Sequence, residues 1–148
     1  MRAYFGRRYR LSASHRLYCA ALSDEENRKV YGKCNHPHGH GHNYVVEVRV
    51  GGQVDAVTGM VCDLALLDEC VRREIVDRFD LTNLDLYDGF AGRVPTTENF
   101  SMEIDRLLRA RFTQAEIVSV RVEETAKNSF EVSAPAPALG LAGKVDLA

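Results

Sequence analysis

Hydrophobic and polar residues alternate along several stretches of the chain, and a period of two is the pattern of half-buried β-strands. It predicts two strands in the N-terminal third and two more near the C-terminal end. The predicted ranges are 2–16, 40–50, 117–124 and a short segment around Phe130 and Val132. The pair Gly51-Gly52 after the second strand predicts a turn, and the polar stretch 23–33 predicts a loop.

Two other segments carry apolar residues at helical spacing. The first helix is expected to start after Asp63 and the second near Thr96, because both residue types cap helix N-termini. The apolar stripes are Leu64, Leu67, Val71, Ile75 and Phe79 in the first helix and Phe100, Ile104, Leu107 and Leu108 in the second. The order strand, strand, helix, helix, strand, strand predicts an α+β domain with an antiparallel sheet and helices on one face.

The composition is that of one ordinary globular domain, with 45% hydrophobic and 27% charged residues in 148. We predict a domain over 1–133 and a mobile tail over 134–148, which is rich in Ala, Pro, Gly and Leu. The formal charge of −2 gives no sign of a nucleic-acid-binding surface. No apolar stretch approaches the roughly 20 residues that span a bilayer, and no signal peptide is visible, so a cytoplasmic protein is expected.

All five histidines precede residue 43, and their pattern indicates a metal site. His40 and His42 are two residues apart, so on a strand they point to the same, apolar side. His15 lies on the apolar side of its own strand. Three imidazoles with one open position are the ligand set of a catalytic zinc ion, although copper or nickel would also suit imidazole. The plainer interpretations are a satisfied core histidine at position 15 and a His-rich loop that binds metal by accident.

Cys34 lies just upstream of these histidines and is the one cysteine with a candidate role. The four cysteines form no CxxC pair, and without an export signal a disulfide framework is not expected. A thiol beside a metal ion can have a lowered pKa and become a thiolate. Cys34 could then bind the metal together with two histidines, or act as a base or nucleophile.

Six motifs in a fixed order make the chain resemble the family of 6-pyruvoyl-tetrahydropterin and 6-carboxy-tetrahydropterin synthases. They extend over nearly the whole chain, to about Val132. The motifs are Ser12-Ala13-Ser14-His15-Arg16-Leu17, Cys34-Asn35-x-Pro37-x-Gly39-His40-Gly41-His42-Asn43-Tyr44, Thr58-Gly59-Met60-Val61, Asp80-x-x-Asn83-Leu84-Asp85, Thr96-Thr97-Glu98-Asn99 and Glu124-Thr125. The combination of the cysteine, the His-Gly-His sequence and the Thr-Thr-Glu-Asn box is the specific part of the resemblance.

The resemblance implies a zinc-dependent lyase with a T-fold. The expected sheet has four antiparallel strands with two helices on one face. Three subunits would close their sheets into a barrel, and two trimers would stack into a hexamer with active sites at subunit interfaces. The expected cofactor is one Zn²⁺ per subunit, and Mg²⁺ on the substrate triphosphate is a further candidate ion. The expected partners are a small pterin substrate and further copies of the chain, with no nucleic acid and no membrane.

The implied reaction converts 7,8-dihydroneopterin triphosphate to 6-pyruvoyl-tetrahydropterin with elimination of triphosphate. The resemblance also assigns roles to residues in this reaction. His15, His40 and His42 would bind zinc, Cys34 would be the general base, Asp80 would belong to its proton relay, Glu124 would anchor the pterin ring, and Thr96, Thr97 and Glu98 would line the ring site. The candidate cations for the triphosphate are Lys33, Arg16 and Lys127. The strand pattern supports Glu124 independently, because a carboxylate on an apolar face needs hydrogen-bond donors such as the N–H groups of a pterin edge. The plainer interpretation is an acid at the end of a strand, already in solvent.

One position departs from the family pattern. The family has a histidine after the aspartate of the relay, and this chain has Leu81 there. His36 or His38 are candidate replacements, with solvent-facing loop residues as the plainer interpretation. Otherwise the protein is a slow enzyme or a pterin-binding homologue without turnover. The pattern also leaves open the 6-carboxy reaction of queuosine synthesis, which releases acetaldehyde, and a role in metal trafficking. The spacing from Cys34 to the His-Gly-His sequence favours the pyruvoyl product.

Overall fold

Five β-strands form one mixed sheet in the computed structural model, which describes residues 1–135. The spatial order is β3-β1-β2-β4-β5, and every neighbouring pair is antiparallel except β3 with β1. The strands are β1 (Arg2–His15), β2 (His40–Gln53), β3 (Thr82–Asn83), β4 (Glu116–Thr125) and β5 (Asn128–Ser133). The helices are α1 (Asp24–Tyr31), α2 (Leu64–Val71), α3 (Asp77–Phe79) and α4 (Thr97–Arg111). A π-helical turn, Arg72–Val76, joins α2 to α3, and short 3₁₀ turns lie at Gly32–Asn35, Leu84–Leu86 and Asp88–Phe90.

One face of the sheet carries the hydrophobic core, and the segment α2–α3 together with α4 packs on that face. The strands contribute inward residues at every second position, and both predicted helical stripes are buried apart from Leu64. The α+β class is therefore as predicted. No helix in the described range is long and apolar enough to cross a membrane. Of the predicted tail, 134–148, the structure describes the first two positions. The remainder lies outside the described residues, so the domain boundary stays a prediction.

The sheet differs from the four antiparallel strands that we expected, because a fifth strand of two residues joins its edge. After α3 the chain is tied to β1 by two hydrogen bonds. The backbone N–H of Leu81 donates to Ser12 O at 2.6 Å, and Asp80 Oδ1 accepts the backbone N–H of Ser12 at 2.8 Å. These bonds hold the next residues beside β1, where β3 pairs in parallel.

The stretch 23–33, which we expected to be a loop, contains helix α1. A capping box starts it: Ser23 Oγ accepts the backbone N–H of Glu26 at 3.2 Å, and Glu26 Oε2 accepts that of Ser23 at 2.8 Å. The buried amide of Asn27 donates to the carbonyls of Cys19, Leu22 and Ser23. The helix depends on these polar contacts rather than on an apolar stripe, which explains why the hydrophobic pattern missed it.

The predicted turn at Gly51 and Gly52 is wrong, because β2 continues through both residues. Gly51 pairs with Tyr4 on one side and with β4 on the other. A Cβ atom on Gly51 would lie 2.9 Å from atoms of Tyr4 and Val118, so glycine lets these side chains close over the strand. The register of β4 shifts at this point, and the shift puts Ile117 rather than Val118 on the buried face.

The segment between β3 and α4 is held by one buried carboxylate. Glu103 on α4 accepts hydrogen bonds from Tyr87 at 2.8 Å and from Arg106 at 2.6 and 2.9 Å. The Arg93 guanidinium lies 3.5 Å from the same carboxylate. The hydrogen bonds from Arg106 hold the pKa of Glu103 below its ordinary value, so the carboxylate stays charged at neutral pH. This anchor fixes the chain that leads into Pro95, whose carbonyl contacts His15.

Leu81 has a left-handed backbone conformation, which leads to a stability prediction. Its φ is 57° and its side chain is 85% exposed. The conformation costs a leucine about 1–2 kcal/mol, and asparagine adopts it more readily. Leu81→Asn is therefore expected to raise the free energy of unfolding by about 1 kcal/mol in urea titrations. Leu86→Asn is the control, because Leu86 is 81% exposed at an ordinary negative φ. An equal gain in the control variant would show that backbone strain is not the cause.

Candidate metal centre and its cleft

Three imidazole rings converge at one end of the sheet, where β1 ends and β2 begins. The antiparallel register places His15 directly opposite His40 and Ala13 opposite His42. The Nε2 atoms of His15 and His40 lie 3.3 Å apart, and those of His40 and His42 lie 2.9 Å apart. All three rings lie on the core face of the sheet, which is the side that the alternation predicted.

The close approach of the two strands at this end depends on Gly39. Its φ is 71°, and a Cβ atom there would lie 2.8 Å from the backbone oxygen of His15. A larger residue would both strain the turn and push the strands apart. Gly39 therefore sets His40 in register with His15.

A backbone carbonyl orients the ring of His15. The Nδ1 atom lies 2.9 Å from the carbonyl oxygen of Pro95, and the His15 side chain is 1% exposed. Because a carbonyl only accepts, Nδ1 carries the hydrogen and Nε2 presents its lone pair to the other two rings. Metal-binding histidines commonly have such an outer partner.

The protonation of the rings suits metal binding. Burial lowers the pKa of His15, and the neighbouring His40 and His42 lower it further. Burial and His42 also lower the pKa of His40. Both rings are therefore neutral at pH 7, which is the form that binds metals.

The positions of the ring nitrogens fit a divalent transition-metal ion. A hydrogen bond between two ring nitrogens needs an N–H on one ring and a lone pair on the other. Three converging Nε2 atoms therefore cannot all be paired with one another by hydrogen bonds. Tetrahedral coordination with metal–nitrogen bonds of about 2.0–2.1 Å separates ligand atoms by about 3.3 Å. The observed separation of His15 and His40 has this value, and that of His40 and His42 is somewhat shorter.

Cys34 and Glu124 approach the histidines and keep more than one ligand set open. The ligand atoms of His15, Cys34 and His40 lie within 4.8 Å of one another, and so do those of His15, His42 and Glu124. Glu124 Oε1 lies 3.6 Å from His42 Nε2 and 3.9 Å from His15 Nε2. It also accepts a hydrogen bond from the Thr97 hydroxyl at 2.7 Å.

The backbone of Cys34 is hydrogen-bonded to the chain that follows β1. The backbone N–H of Leu17 donates to Cys34 O at 2.8 Å, and the buried Asn35 amide donates to Leu17 O at 2.8 Å. Burial raises the pKa of Cys34, and the charge of Glu124 raises it further. The protein surroundings therefore act in the direction opposite to the lowered pKa that a metal ion would cause, and they keep the thiol protonated at neutral pH.

A cleft of about 1010 Å³ opens beside the histidines. Its volume is at the upper end of the range for small-molecule sites. Cys34, His36, His40, His42 and Glu124 line it, and so do the basic residues Arg16, Arg28 and Lys33. His38 lines an adjoining cavity instead, together with His15, Arg93 and Phe90. Of the two candidate relay histidines, only His36 thus shares the cleft with the thiol.

Several predicted site residues do not line this cleft within residues 1–135. They are His15, His38, Asp80, Thr96, Thr97, Glu98 and Lys127. Asp80 accepts the Ser12 N–H, and Thr96 Oγ1 caps α4 by accepting the backbone N–H of Asn99 at 3.2 Å. Thr97 differs from its neighbours in the motif, because it reaches Glu124 from the first turn of α4.

Two residues near the site were missed by sequence reasoning. Arg28 lies on helix α1, in the stretch that we expected to be a loop. The spacing of Ser23 and Glu26 is a capping-box signal that would have revealed this helix. The strand pattern places Tyr44 on the apolar face of β2, and no sequence signal marks its hydroxyl.

The chain matches the family model described as 6-pyruvoyl tetrahydropterin synthase over residues 4–135. It is 46% identical over 127 residues to the human protein named 6-pyruvoyl tetrahydrobiopterin synthase, covering 85% of this chain and 88% of the human one. The Drosophila melanogaster protein of that name is 42% identical over 141 residues, covering 94% and 84%. The solved structure of Caenorhabditis elegans 6-pyruvoyl tetrahydropterin synthase has a TM-score of 0.85 and 37% identity, covering 91% and 97%.

Cobalt binding would separate the possible ligand sets. We expect purified protein to retain about one Co²⁺ per chain after gel filtration, measured by mass spectrometry of the metal. His40→Ala and His42→Ala should lose the ion, whereas His38→Ala should keep it, because His38 lines another cavity. A sulfur-to-cobalt charge-transfer band that disappears in Cys34→Ser would identify a thiolate ligand. Full retention of the ion by the His40→Ala/His42→Ala double variant would contradict the site.

Proposed function

Since the chain belongs to the 6-pyruvoyl tetrahydropterin synthase family, we propose that it is a carbon–oxygen lyase acting on 7,8-dihydroneopterin triphosphate. The products would be 6-pyruvoyl-tetrahydropterin and triphosphate. The observation that carries the proposal is the convergence of three imidazoles, a thiol and a carboxylate, four of which line one cleft. The reaction needs no nicotinamide or flavin, because the side chain is reduced internally by proton transfers.

His15, His40 and His42 would hold the metal ion, and zinc is the ion that we propose, with one per subunit. When bound there, zinc supplies Lewis-acid polarisation of substrate oxygens. The carbonyl of Pro95 keeps the His15 lone pair directed into the site. The remaining chemistry falls to the thiol and the carboxylate.

Cys34 would take and return the protons of the substrate side chain. Its backbone is anchored by Leu17, so the sulfur stays close to the histidines. A base of this kind works best with a pKa near the reaction pH. Burial and the charge of Glu124 hold the pKa of Cys34 above its ordinary value. Pairing of Glu124 with the N–H groups of the substrate would offset part of the second of these causes.

Glu124 would bind the pterin ring. Its Oε1 atom is fixed by the hydroxyl of Thr97, which is buried at the start of α4. A carboxylate held in this way can accept paired N–H bonds from the guanidine-like edge of a pterin. Of the three residues that the resemblance places at the ring, Thr97 has this direct contact, whereas Thr96 and Glu98 would need a partner subunit to complete a ring site.

Three basic side chains would bind the triphosphate. Arg16, Arg28 and Lys33 all line the wall of the cleft. Their positive charges favour a polyanion at this position, and Mg²⁺ is a further cation that we propose for the phosphates. Lys127 is the weaker candidate, because it lies in the exposed turn between β4 and β5 and outside the lining of the cleft.

We place the protein in the cytoplasm, as a trimer or a dimer of trimers whose sheets close into a barrel. Two features of the described residues support association. The strands β5 and β3 are the edges of an open sheet, and unpaired edges invite pairing with another chain. Large apolar side chains are also exposed, among them Leu81, Leu86 and Met102.

Leu81 favours one second candidate function, which is pterin binding without turnover. Leucine cannot carry the proton that the family histidine carries at this position. His36 is the residue that we propose as its replacement, because it lines the cleft that contains Cys34. The two candidates differ in whether a product forms.

Product analysis tests the proposed function. Zinc-loaded protein is incubated with 7,8-dihydroneopterin triphosphate, and the products are identified by mass. We expect 6-pyruvoyl-tetrahydropterin and triphosphate, with turnover reduced at least about hundredfold in Cys34→Ser. Acetaldehyde with the carboxy product would place the protein in the queuosine reaction instead. Ligand binding without any product would favour the second candidate.

The relay histidine is tested by restoring it. Leu81→His should raise kcat if the native relay is incomplete, and Leu81→Asn is its matched control, since it changes the same backbone position without adding a base. His36→Asn should lower kcat about tenfold or more if His36 is the replacement, whereas His38→Asn should not. Equal kcat values for wild type and His36→Asn would reject that assignment.

A further inference from the structure

Asn99 is the one residue of the Thr96-Thr97-Glu98-Asn99 motif to which the proposed function gives no role. It lies in the first turn of α4, and its side chain points back towards the chain that precedes the helix. The side-chain amide donates to the carbonyl oxygen of Val94 at 2.8 Å, and the backbone N–H donates to Thr96 Oγ1 at 3.2 Å. Because a carbonyl only accepts, the NH2 group of Asn99 is the part that faces Val94. Asn99 therefore ties α4 to the segment that contains Pro95.

The carbonyl of Val94 accepts a second hydrogen bond, which closes a three-residue turn around Pro95. The backbone N–H of Thr96 donates to Val94 O at 2.8 Å, and a bond between residues two apart is that of a γ-turn. Proline suits the centre of such a turn, because its ring fixes φ at about −65°. The Asn99 side chain and the turn thus share one acceptor, Val94 O.

One planar peptide group connects this turn to the candidate metal centre. The N–H of Thr96 and the carbonyl of Pro95 belong to the same peptide group, in which they point to opposite sides of one plane-bound unit. The bond from Thr96 N–H to Val94 O therefore sets the direction of the Pro95 carbonyl on the other side. That carbonyl oxygen lies 2.9 Å from His15 Nδ1, and His15 Nε2 lies 3.3 Å from His40 Nε2. The His15 side chain is 1% exposed, so bulk water cannot take the place of the carbonyl.

We propose that Asn99 is a positioning residue for the metal centre, and that it acts on His15 through the turn at Pro95. This inference rests on the proposed function, because it assumes a metal ion at the three histidines. The Asn99 amide fixes Val94 O. This oxygen fixes the peptide plane between Pro95 and Thr96, and the plane orients the ring of His15. Groups that orient a ligand from behind in this way raise the affinity of a site for its metal. Without the amide, the turn keeps only the bond from Thr96, and the Pro95 carbonyl loses its fixed direction.

Asn99→Asp tests the inference, because it removes the NH2 donor with almost no change of shape. An acidic residue suits the first turn of a helix, so the variant should fold with a Tm close to that of the wild type. Its zinc affinity, measured by competition with a chelator, should fall about tenfold. In zinc-loaded protein with isotope-labelled histidine, NMR should show the His15 Nδ1 hydrogen exchanging with water faster than in the wild type. Asn99→Ser repeats the test with a side chain too short to reach Val94, in case the aspartate variant does not fold.

Asn27→Ala is the matched control for a loss of stability. The Asn27 amide also donates to backbone carbonyls, but these belong to Cys19, Leu22 and Ser23, in the chain that leads into α1. Its loss should lower Tm and leave both the zinc affinity and the His15 hydrogen signal unchanged.

Wild-type zinc affinity in Asn99→Asp and Asn99→Ser would overturn the inference and leave the proposed function intact. A loss of affinity without faster exchange of the His15 hydrogen would also overturn it, because the effect would then not pass through Pro95. An equal loss of affinity in Asn27→Ala would do the same, since reduced stability would explain both variants. Failure of the wild type to bind zinc would overturn the metal centre of the proposed function together with the inference.

Discussion

The antiparallel pairing of β1 with β2 is the interaction on which the rest of the site depends. The two strands pair along 14 residues each, and the last pair is His15 with His40. A slip of one residue would turn every inward side chain to the opposite face. The apolar residues farther along both strands prevent such a slip, because it would expose them to solvent. Core burial at one end of the ladder thus holds the three imidazoles together at the other end.

Much of the fold and the convergence of the three histidines could be predicted because both follow from periodicity. His15, His40 and His42 occupy positions of the same alternation that buries the core, so their common face could be predicted without a structure. The α1 helix and the continuation of β2 through Gly51 could not, because they depend on polar caps and on cross-strand packing rather than on hydrophobic pattern. The separation of His36 from His38 was also invisible, since neighbouring loop residues can enter different cavities.

The core face of the sheet changes from apolar to polar along β2 and β4. Val46 and Val122 are fully buried and pair across the two strands, and Glu124 and the histidines follow nearer the end. A polar group at such a boundary destabilises the fold when it is shielded from water and lacks hydrogen-bond partners within the protein. Two of the polar groups here have such partners: the Thr97 hydroxyl donates to Glu124, and the Pro95 carbonyl accepts from His15. Among the described residues, the Tyr44 hydroxyl is the buried side-chain group at this boundary that has no hydrogen-bond partner, and its ring lies beside that of His42.

The Asp80–Leu81 pair shows how a motif can persist for reasons other than catalysis. Asp80 accepts a backbone N–H of β1, and the backbone N–H of Leu81 donates to the same residue, Ser12. Both bonds join the end of α3 to the sheet edge, and neither requires a histidine side chain at position 81. The strained φ of Leu81 follows from this docking, because the chain must reverse there to enter β3. The structural role alone therefore accounts for the aspartate, so its presence gives no independent support for a proton relay in this chain. A relay must be argued from groups that share the cleft with Cys34.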